Sequence, residues 1–366
     1  MAATGRERIN WVTVPTTDSK MYQTMQRQPA DIRRLVGDGW GQAEQAATLL
    51  APARRIFVVG IGTSLHAAMI GAWLLRAAGS DARVVSSFDF ALYPDSYPLT
   101  VEDAVVVMAH TGVKTYSAVS IQRAHDAGAR VLSVGSLTAE HPGSELVLRT
   151  VEREQSAAYT ASHLAAMTVM AQAATVLGDG RGASGVNGFR AALDQLPEQI
   201  ADVLARETEI QPVAEDALQR QIYAIAAGPN EATALELVIK AREAAYVPID
   251  ALHAEQFLHG PMVAFNEGDL LVAVAVPGNA YDRVAGICAV ADAMGGKLWI
   301  VGSPVPATPD ATVFTLPELP EMLSPLLAVV PMQILAYTMA VLRGTHPDTF
   351  RRNDPRYKEA FGLLTL

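Results

Sequence analysis

The sequence predicts an α/β protein made of two tandem domains, each a parallel β-sheet covered by helices on both faces. Short runs rich in β-branched residues alternate with longer runs of helical spacing, a pattern typical of parallel sheets. The two halves also begin alike, with RIFVVGIGTSLHAA from residue 55 and QIYAIAAGPNEATA from residue 221. Each of these stretches predicts a strand, a glycine-containing turn and a helix, which indicates a duplicated domain.

The first half begins with a polar, aperiodic stretch, residues 1–20, for which we expect a loose arm. Residues 21–35 then have helical spacing. The strands predicted for this half are residues 55–60, 82–86, 103–109, 130–135 and 145–149. The helices predicted between them include residues 64–78, 116–127 and 161–177.

A glycine-rich stretch, GDGRGASGVNG at residues 178–188, is the clearest linker signal. A helix is predicted after it, over residues 189–206, and the alternation then resumes. The strands predicted for the second half are residues 221–227, 245–250, 270–276, 297–301 and 312–316. These assignments divide the chain into an arm and helix (1–35), a first domain (36–185), a second domain (189–345) and a tail (346–366).

The composition limits the functional classes. The 366 residues carry a net charge of −10, which argues against a general nucleic-acid or anionic-membrane surface. Cys288 is the single cysteine, so no intrachain disulfide can form. Because the chain also opens without a secretory signal pattern, we expect a cytoplasmic protein. Residues 322–342 are uncharged and long enough to span a bilayer, but their prolines, Gln333 and Tyr337 favour a buried core or interface helix.

The turn after the first strand contains Gly60, Gly62, Thr63 and Ser64. In an open parallel sheet, ligands bind at the carboxyl ends of strands, and a helix N-terminus offers free N–H groups to an anion. The turn matches neither the dinucleotide fingerprint nor a Walker motif, so a monophosphate is the expected ligand and no cofactor is predicted. A tight turn with Ser64 as the helix cap is the alternative.

Two further turns carry hydroxyl groups at the same predicted sheet edge. AHTGVKT, residues 109–115, follows the third strand, and AAYTASH, residues 157–163, opens a helix with Thr160 and Ser162. Hydroxyl and N–H groups converging from three turns can share the oxygens of one phosphate. Three ordinary helix caps remain the alternative.

These three turns resemble the phosphosugar-binding turns of the sugar isomerase (SIS) domain. The stretch TALELVIKAREAAYVPIDALHAEQFLHGPM, residues 233–262, is similar to the isomerase half of the glutamine–fructose-6-phosphate aminotransferase family. That family has glutaminase-free relatives, among them aminosugar-phosphate deaminases and fructosamine-phosphate deglycases. The resemblance spans about residues 21–344 and implies two tandem SIS domains, each a flavodoxin-like three-layer sandwich.

The resemblance also implies roles for individual residues. It implies that Glu243 transfers a proton between C1 and C2 of the sugar, that His259 opens the sugar ring, and that Lys240 binds substrate one helical turn before Glu243. The implied phosphate ligands are Gly62, Thr63, Ser64, Thr111 and Thr115, with Thr160 nearby. The active sites are implied to lie at a homodimer interface, with the histidine supplied by the neighbouring chain.

The sequence departs from the family pattern at two places. The turn after the third strand is one residue longer before its last hydroxyl, so Lys114 is an alternative to Thr115 as a phosphate contact. At this turn His110 is predicted to bind substrate, and with Tyr159 and Gln256 it is expected to affect substrate choice. Lys358 is the only lysine after Arg343 and takes the role of the family's tail lysine, in a tail that covers the active site; an exposed surface lysine is the alternative.

The residues themselves allow other interpretations. Burial can raise the pKa of a carboxyl group toward neutrality and make it a base. Lys240 and Glu243 could instead be a solvated helix pair, and His259 a histidine bonded to backbone. His253 and His259 are six residues apart, which is not the spacing of a helical zinc pair, so no metal is predicted.

The predicted function is therefore that of an aminosugar-phosphate deaminase or isomerase acting on a sugar such as glucosamine 6-phosphate. The opening residues MAATGRER contain no cysteine, so ammonia from glutamine is not expected. The alternatives are a fructosamine-phosphate deglycase, a ketose–aldose isomerase, or a non-catalytic sugar-phosphate sensor. The first fifty residues are too short and insufficiently basic for a helix-turn-helix segment, which argues against a DNA-binding sensor.

Overall fold

The computed structural model describes residues 18–363 and contains two five-stranded, entirely parallel β-sheets. The strands of the first sheet are β1 (Arg55–Gly60), β2 (Ala82–Ser86), β3 (Asp103–Met108), β4 (Arg130–Gly135) and β5 (Leu146–Arg149). The strands of the second are β6 (Ile222–Ala226), β7 (Asp250–His253), β8 (Leu270–Ala275), β9 (Lys297–Gly302) and β10 (Thr312–Thr315). The predicted α/β fold with two parallel sheets is therefore confirmed.

The two sheets have the same topology. The first is ordered β2-β1-β3-β4-β5 and the second β7-β6-β8-β9-β10. In each sheet the first strand of the half lies between the second and the third strands. The order in which successive strands are added to the sheet therefore reverses at the same point in both halves. This shared order of ten parallel strands supports the duplication inferred from the sequence.

Helices cover both sheets and fill the space between them. They are α1 (Lys20–Asp38), α2 (Trp40–Leu50), α3 (Thr63–Ala77), α4 (Ser87–Leu92), α5 (Thr115–Asp126), α6 (Ala161–Arg181), α7 (Phe189–Ala205), α8 (Gln211–Ala217), α9 (Glu231–Lys240), α10 (Ala254–Leu258), α11 (Tyr281–Ala293), α12 (Pro325–Arg343) and α13 (Pro355–Gly362). The largest hydrophobic core draws on α1, α3, α6, α7, α9 and α12. The two halves therefore share one core.

The uncharged segment near the C-terminus forms the centre of this core. Within residues 18–363, the helix Glu321–Arg343 is long and apolar enough to cross a membrane, but 83% of its most apolar window is buried inside the protein. Its side chains pack against helices of both halves, since α12 contacts α6, α7 and α9. The prediction of a buried core helix is confirmed.

Helix α1 is packed into the same core, with Met21, Met25 and Ile32 fully buried. The helix predicted over residues 21–35 is thus three residues longer at its C-terminal end. The arm predicted over residues 1–20 falls mostly outside the described residues. Asp348, in the segment after α12, accepts hydrogen bonds from the first backbone N–H groups of α1, at Lys20 (2.6 Å) and Met21 (2.9 Å).

Two predictions made for connecting segments are wrong. The glycine-rich stretch does not start a linker at residue 178, because α6 continues to Arg181 and ends at Gly182, whose φ of 65° suits a helix C-terminus. Gly178 lies inside that helix, where a Cβ atom would come within 2.5 Å of Val186. Tight packing, rather than a chain break, explains this glycine.

The strand predicted over residues 245–250 is also wrong. Residues Ala241–Ala245 form a π-helical turn that continues α9, and β7 begins only at Asp250. In the apolar run AAYVPI, Ala244, Ala245, Val247 and Ile249 are buried, and the turn packs against α12. Pro248 has no N–H to donate to a sheet, which keeps this segment out of the ladder.

Candidate active site

The first two hydroxyl-bearing turns lie at the edge where the chain reverses across the first sheet. They follow β1 and β3, which are neighbours in the sheet. This topological switch point is the usual ligand site of open parallel sheets. A Cβ atom on Gly60 would lie 2.4 Å from the backbone oxygen of Ser64, and Gly62 has a φ of 59°. Only glycines permit this close, left-handed turn at the start of α3.

A cavity of about 520 Å³ opens at this edge. Its lining includes Ser64, Thr111 and Thr115, whose hydroxyls form no hydrogen bond with another described residue. Lys114 and His110 also line it. The structure therefore brings the first and second predicted turns together around one space, and leaves their hydroxyls available to a ligand.

The third turn is arranged differently. The carboxylate of Glu154 is 5% exposed and accepts hydrogen bonds from the backbone N–H groups of Thr160, Ala161 and Ser162. It also accepts one from the Thr160 hydroxyl, at 3.2 Å. The N-terminus of α6 is thus already occupied by an internal anion. Thr160 does not line the cavity, and its role as a phosphate ligand stays a prediction.

A chain of buried charged side chains connects this turn with Glu243. Glu236 on α9 accepts a hydrogen bond from the Thr63 hydroxyl (3.1 Å) and lies 2.6 Å from Nδ1 of His66. Its other neighbour is Lys240, whose Nζ is 3.5 Å away. The same Nζ donates to Oε2 of Glu243 at 2.5 Å. Side chains of the first half are therefore connected, through Glu236, to the catalytic candidates of the second half.

Sequence reasoning missed Glu236 and His66. Glu236 precedes Lys240 by four residues in the otherwise apolar stretch TALELVIK, so both must lie on one helix face. A glutamate and a lysine in an otherwise apolar helix were the signal from which their burial could have been predicted. Lys240 is 1% exposed and Glu236 fully buried, which excludes the solvated helix pair considered from the sequence.

Burial and neighbouring charges shift the pKa values of this chain in different directions. Burial raises the pKa of Glu243 despite the opposing charge of Lys240. Burial alone would lower the pKa of Lys240, but the carboxylates of Glu243 and Glu236 outweigh it and raise that pKa. The pKa of Glu236 is lowered, because the nearby cationic groups outweigh burial. Glu243 is the carboxyl group displaced toward neutral pH, as a general base requires.

The backbone around Glu243 is unusual. The residue lies within the π-helical turn Ala241–Ala245, and Tyr246, which ends the turn, has a φ of 56°. Single π turns inside helices are frequent at functional sites, and left-handed non-glycine residues are rare. The local structure therefore agrees with a specialised role for Glu243.

A second cavity, of about 410 Å³, lies beside Glu243. The residues lining it are Arg242, Glu243, Tyr246, Val247, Pro248, Phe350, Arg351, Tyr357 and Phe361. The tail that contains α13 thus forms one wall of this cavity. Lys358 is exposed on α13 and does not line the cavity, so the structure does not place its side chain with Glu243.

His259 lies apart from these groups in the single chain. Its side chain is 67% exposed, and Nε2 lies 3.2 Å from Oε1 of Glu255 on the adjoining helix α10. This excludes a buried histidine bonded to backbone. An exposed position is what a histidine donated to a neighbouring chain requires, but the assignment stays a prediction.

His110 has one ring nitrogen available for a ligand. Its Nε2 accepts a weak hydrogen bond from the backbone N–H of Glu154 at 3.4 Å, and its buried Nδ1 has no partner among the described residues. Burial lowers its pKa to about 4, so the ring is neutral near pH 7. A neutral ring that accepts at Nε2 carries its proton on Nδ1. His110 therefore has an unsatisfied donor on a ring that lines the 520 Å³ cavity.

The fold defines an α/β protein with a cavity at the switch point of its first sheet, and comparison with known proteins shows what the chain is similar to. The family model described as SIS domain matches residues 217–343. Glutamine–fructose-6-phosphate aminotransferase from Pyrococcus horikoshii is 28% identical over 334 residues, which cover 90% of this chain and 56% of that protein. The chain thus spans about half the length of the curated relatives it matches.

Solved structures show the same fold. The C-terminal domain of glucosamine-fructose-6-phosphate aminotransferase from Francisella tularensis superposes with a TM-score of 0.82 at 18% identity, covering 90% of this chain and 98% of that one. Glucosamine-6-phosphate deaminase from Thermotoga maritima gives a TM-score of 0.70 at 19% identity, covering 90% and 97%. Residues 217–343 thus match the SIS domain, and the chain as a whole is similar in sequence and fold to the isomerase part of the aminotransferases, as the resemblance implied.

Proposed function

We propose that this protein is an enzyme that isomerises and deaminates an aminosugar 6-phosphate such as glucosamine 6-phosphate. The observation that carries the proposal is the buried contact chain from Thr63 to Glu243. It joins a turn suited to phosphate with a carboxyl group whose pKa is raised by burial. The similarity to aminotransferases and the fold shared with a deaminase support phosphosugar chemistry at this site.

The phosphate would be held at the switch point of the first sheet. The N-terminus of α3 offers its positive dipole end, and the hydroxyls of Ser64, Thr111 and Thr115 surround the cavity. His110 adds a neutral donor. These groups bind an anion without a compensating cluster of cations, which suits a phosphate that must also leave as product.

The proton transfer would be carried out by Glu243. In the open-chain sugar it removes the proton from C2, and the carbonyl at C1 becomes an enol. Return of a proton to C1 leaves a C2 imine, which water hydrolyses to a ketose phosphate and ammonia. Lys240, buried between the carboxylates of Glu236 and Glu243, orients Glu243. These steps use side chains alone.

We further propose that the protein acts as a cytoplasmic homodimer with shared active sites. The exposed His259 of one protomer would open the sugar ring bound to its partner. Val263, four residues later, is 87% exposed, and an apolar side chain on this loop agrees with a protein contact. The tail would contribute Lys358 to the site only if the loop before α13 rearranged on binding.

The proposed function is tested by incubating the purified protein with glucosamine 6-phosphate and measuring ammonia and fructose 6-phosphate. Both products are expected from the wild type. Glu243→Gln should reduce turnover by at least about 1,000-fold, because general-base catalysis contributes about 100- to 10,000-fold, and should bind the sugar phosphate normally. The exposed Glu215→Gln is the matched control and should remain active.

Two outcomes would contradict the proposed function. Near-normal turnover in Glu243→Gln would exclude this residue as the base. Binding of the sugar phosphate by the wild type, detected as thermal stabilisation without any product, would favour the sensor over the enzyme.

A further inference from the structure

The 410 Å³ cavity beside Glu243 is larger than the release of ammonia requires. Ammonia has about the volume of a water molecule, whose share of the liquid is about 30 Å³. The cavity shares no lining residue with the phosphate cavity, so it lies beyond the part of the site that holds the sugar phosphate. Its walls are aromatic on the side of the tail, where Tyr357 and Phe361 of α13 face the site.

Backbone strain is concentrated in this cavity. Among residues 18–363, three non-glycine residues have a left-handed φ: Tyr246 (56°), Phe350 (53°) and Arg351 (57°). All three line the cavity. Such conformations are unfavourable and persist where the surrounding structure enforces them, most often at ligand sites. The cavity is therefore a built feature of the fold rather than a packing gap.

Arg351 is a fixed cation with unused donors. Its guanidinium lies 4.1 Å from the ring centre of Tyr357 and 5.1 Å from that of Tyr246. Its Nε is buried and has no hydrogen-bond partner. The carboxylate paired with it, that of Asp354, is 3.9 Å away and is bonded more closely by Arg356, at 2.9 Å. The site therefore offers a rigid guanidinium to an incoming carboxylate.

We propose that the nitrogen of the physiological aminosugar 6-phosphate belongs to an aromatic amino acid, whose side chain and carboxylate occupy this cavity. The inference rests on the proposed function, because it places C1 and C2 of the sugar at Glu243. Aromatic walls and a free guanidinium together fit an apolar group that carries a carboxylate. Ammonia would contact neither the aromatic walls nor the guanidinium.

The chemistry is unchanged apart from the leaving group. Glu243 removes the C2 proton, the electron pair forms the C1–C2 double bond, and the proton returned to C1 leaves an imine between C2 and the substituted nitrogen. Water adds to C2, the C2–N bond breaks, and the nitrogen leaves with its proton as the free amino acid. One water molecule is consumed and no oxidant is needed. The product sugar is again the ketose 6-phosphate.

The test compares three ligands that differ only on nitrogen. They are glucosamine 6-phosphate, its N-(2-phenylethyl) derivative, and its N-(1-carboxy-2-phenylethyl) derivative, which carries phenylalanine. Calorimetry on Glu243→Gln measures affinity without turnover. The carboxylate-bearing ligand should bind at least about tenfold more tightly than the phenylethyl ligand, as expected for a charge-assisted pair with Arg351.

Variants assign the effect to Arg351. Arg351→Met, made in Glu243→Gln, should remove the preference for the carboxylate and leave the affinity for glucosamine 6-phosphate within about twofold. Arg351→Lys keeps the charge but not the planar stacking group, and should retain only part of the preference. Arg356→Met, at an exposed arginine in α13, should retain all of it.

Two results would overturn the inference: equal affinities for all three ligands, or an undiminished preference in both Arg351 variants. Assays of the wild type separate this failure from that of the proposed function. If the wild type releases ammonia from glucosamine 6-phosphate but shows no preference among the three ligands, the proposed function stands and the aromatic amino acid in the cavity is refuted. If it prefers the carboxylate-bearing ligand but turns over none of the three, the cavity assignment stands and the deamination is refuted.

Discussion

Glu236 is the residue at which the charges of the two halves meet. It contacts Thr63 and His66 from the first half and Lys240 from its own helix. Fully buried carboxylates are tolerated when cations and hydrogen bonds satisfy them, and they are costly when one partner is lost. Its position suggests that it keeps the phosphate turn and the base in a fixed relation.

Replacement of Glu236 should therefore affect both stability and the pH dependence of the reaction. Glu236→Gln leaves the buried Lys240 with one carboxylate fewer and should lower the free energy of unfolding by about 3 kcal/mol. The charge of Glu236 also raises the pKa of Glu243. Removing it should lower that pKa, so that the acid limb of kcat/KM against pH moves to lower pH.

Urea unfolding and a pH profile measure these two effects. Glu215→Gln, on the surface, should change neither. A stable Glu236→Gln variant with an unmoved acid limb would show that Glu236 is only a packing residue.

The individual residues of the site differed in how far the sequence could identify them. Glu243, Lys240 and the hydroxyl turns stood in recognisable patterns. Glu236 did not, because a glutamate in a helix is usually on the surface, and its burial depends on contacts with α3 from the other half. On the proposed function, the residues with which His259 acts belong to another chain. Such long-range contacts are not visible in local spacing.

At the level of elements, the turn between β1 and α3 is the most constrained part of the site. A side chain at Gly60 would overlap the backbone of the first turn of α3, at 2.4 Å from the oxygen of Ser64. Backbone atoms cannot move aside as a flexible side chain can. Any side chain at residue 60 would therefore displace the backbone of the whole turn.

Gly60→Ala should lower the free energy of unfolding by about 2 kcal/mol or more and weaken binding of glucosamine 6-phosphate at least about tenfold, through strain in the phosphate turn. Denaturant unfolding and calorimetry provide the two measurements. Gly37→Ala in α1 is the matched control, since no atom lies within 4 Å of its Cβ position. It should be neutral or stabilising by up to about 1 kcal/mol. Similar effects for both variants would disprove a special role for the turn.

The elements themselves were largely predictable. Strands β1, β2 and β4 have the predicted bounds, because continuous β-branched runs bounded by turns are typical of buried parallel strands. The segment after α9 was mispredicted because the apolar run AAYVPI fits a buried strand as well as it fits a helix end packed on α12. Its true structure is decided by tertiary contacts.

For the whole molecule, three histidines with lowered pKa values should determine the response to acid. Burial lowers the pKa of His110, His141 and His163 to about 4 in each case. The ordinary histidine value is 6.5, so between pH 6.5 and 4 the unfolded chain binds up to three protons that the folded chain does not. The free energy of unfolding should therefore fall as the pH is lowered through this window.

The slope should approach about 4 kcal/mol per pH unit near pH 5, less an offset from Glu243, which is protonated more readily in the folded chain. Urea unfolding at pH 7, 6 and 5 measures it. His141→Leu removes one of the three groups and should reduce the slope by about 1.4 kcal/mol per pH unit. His253→Gln, at a partly exposed histidine, serves as the control. A stability that does not change between pH 7 and 5 would refute the prediction.

The contact of Asp348 with the first turn of α1 has a mechanical consequence. It fixes the start of the described chain to the segment that leads into the tail, and the tail forms a wall of the cavity beside Glu243. The same carboxylate also accepts a hydrogen bond from the Ser156 hydroxyl, at 3.1 Å, so one side chain ties together three stretches that are far apart in sequence. Its loss would loosen a wall of the cavity without altering any residue that lines it.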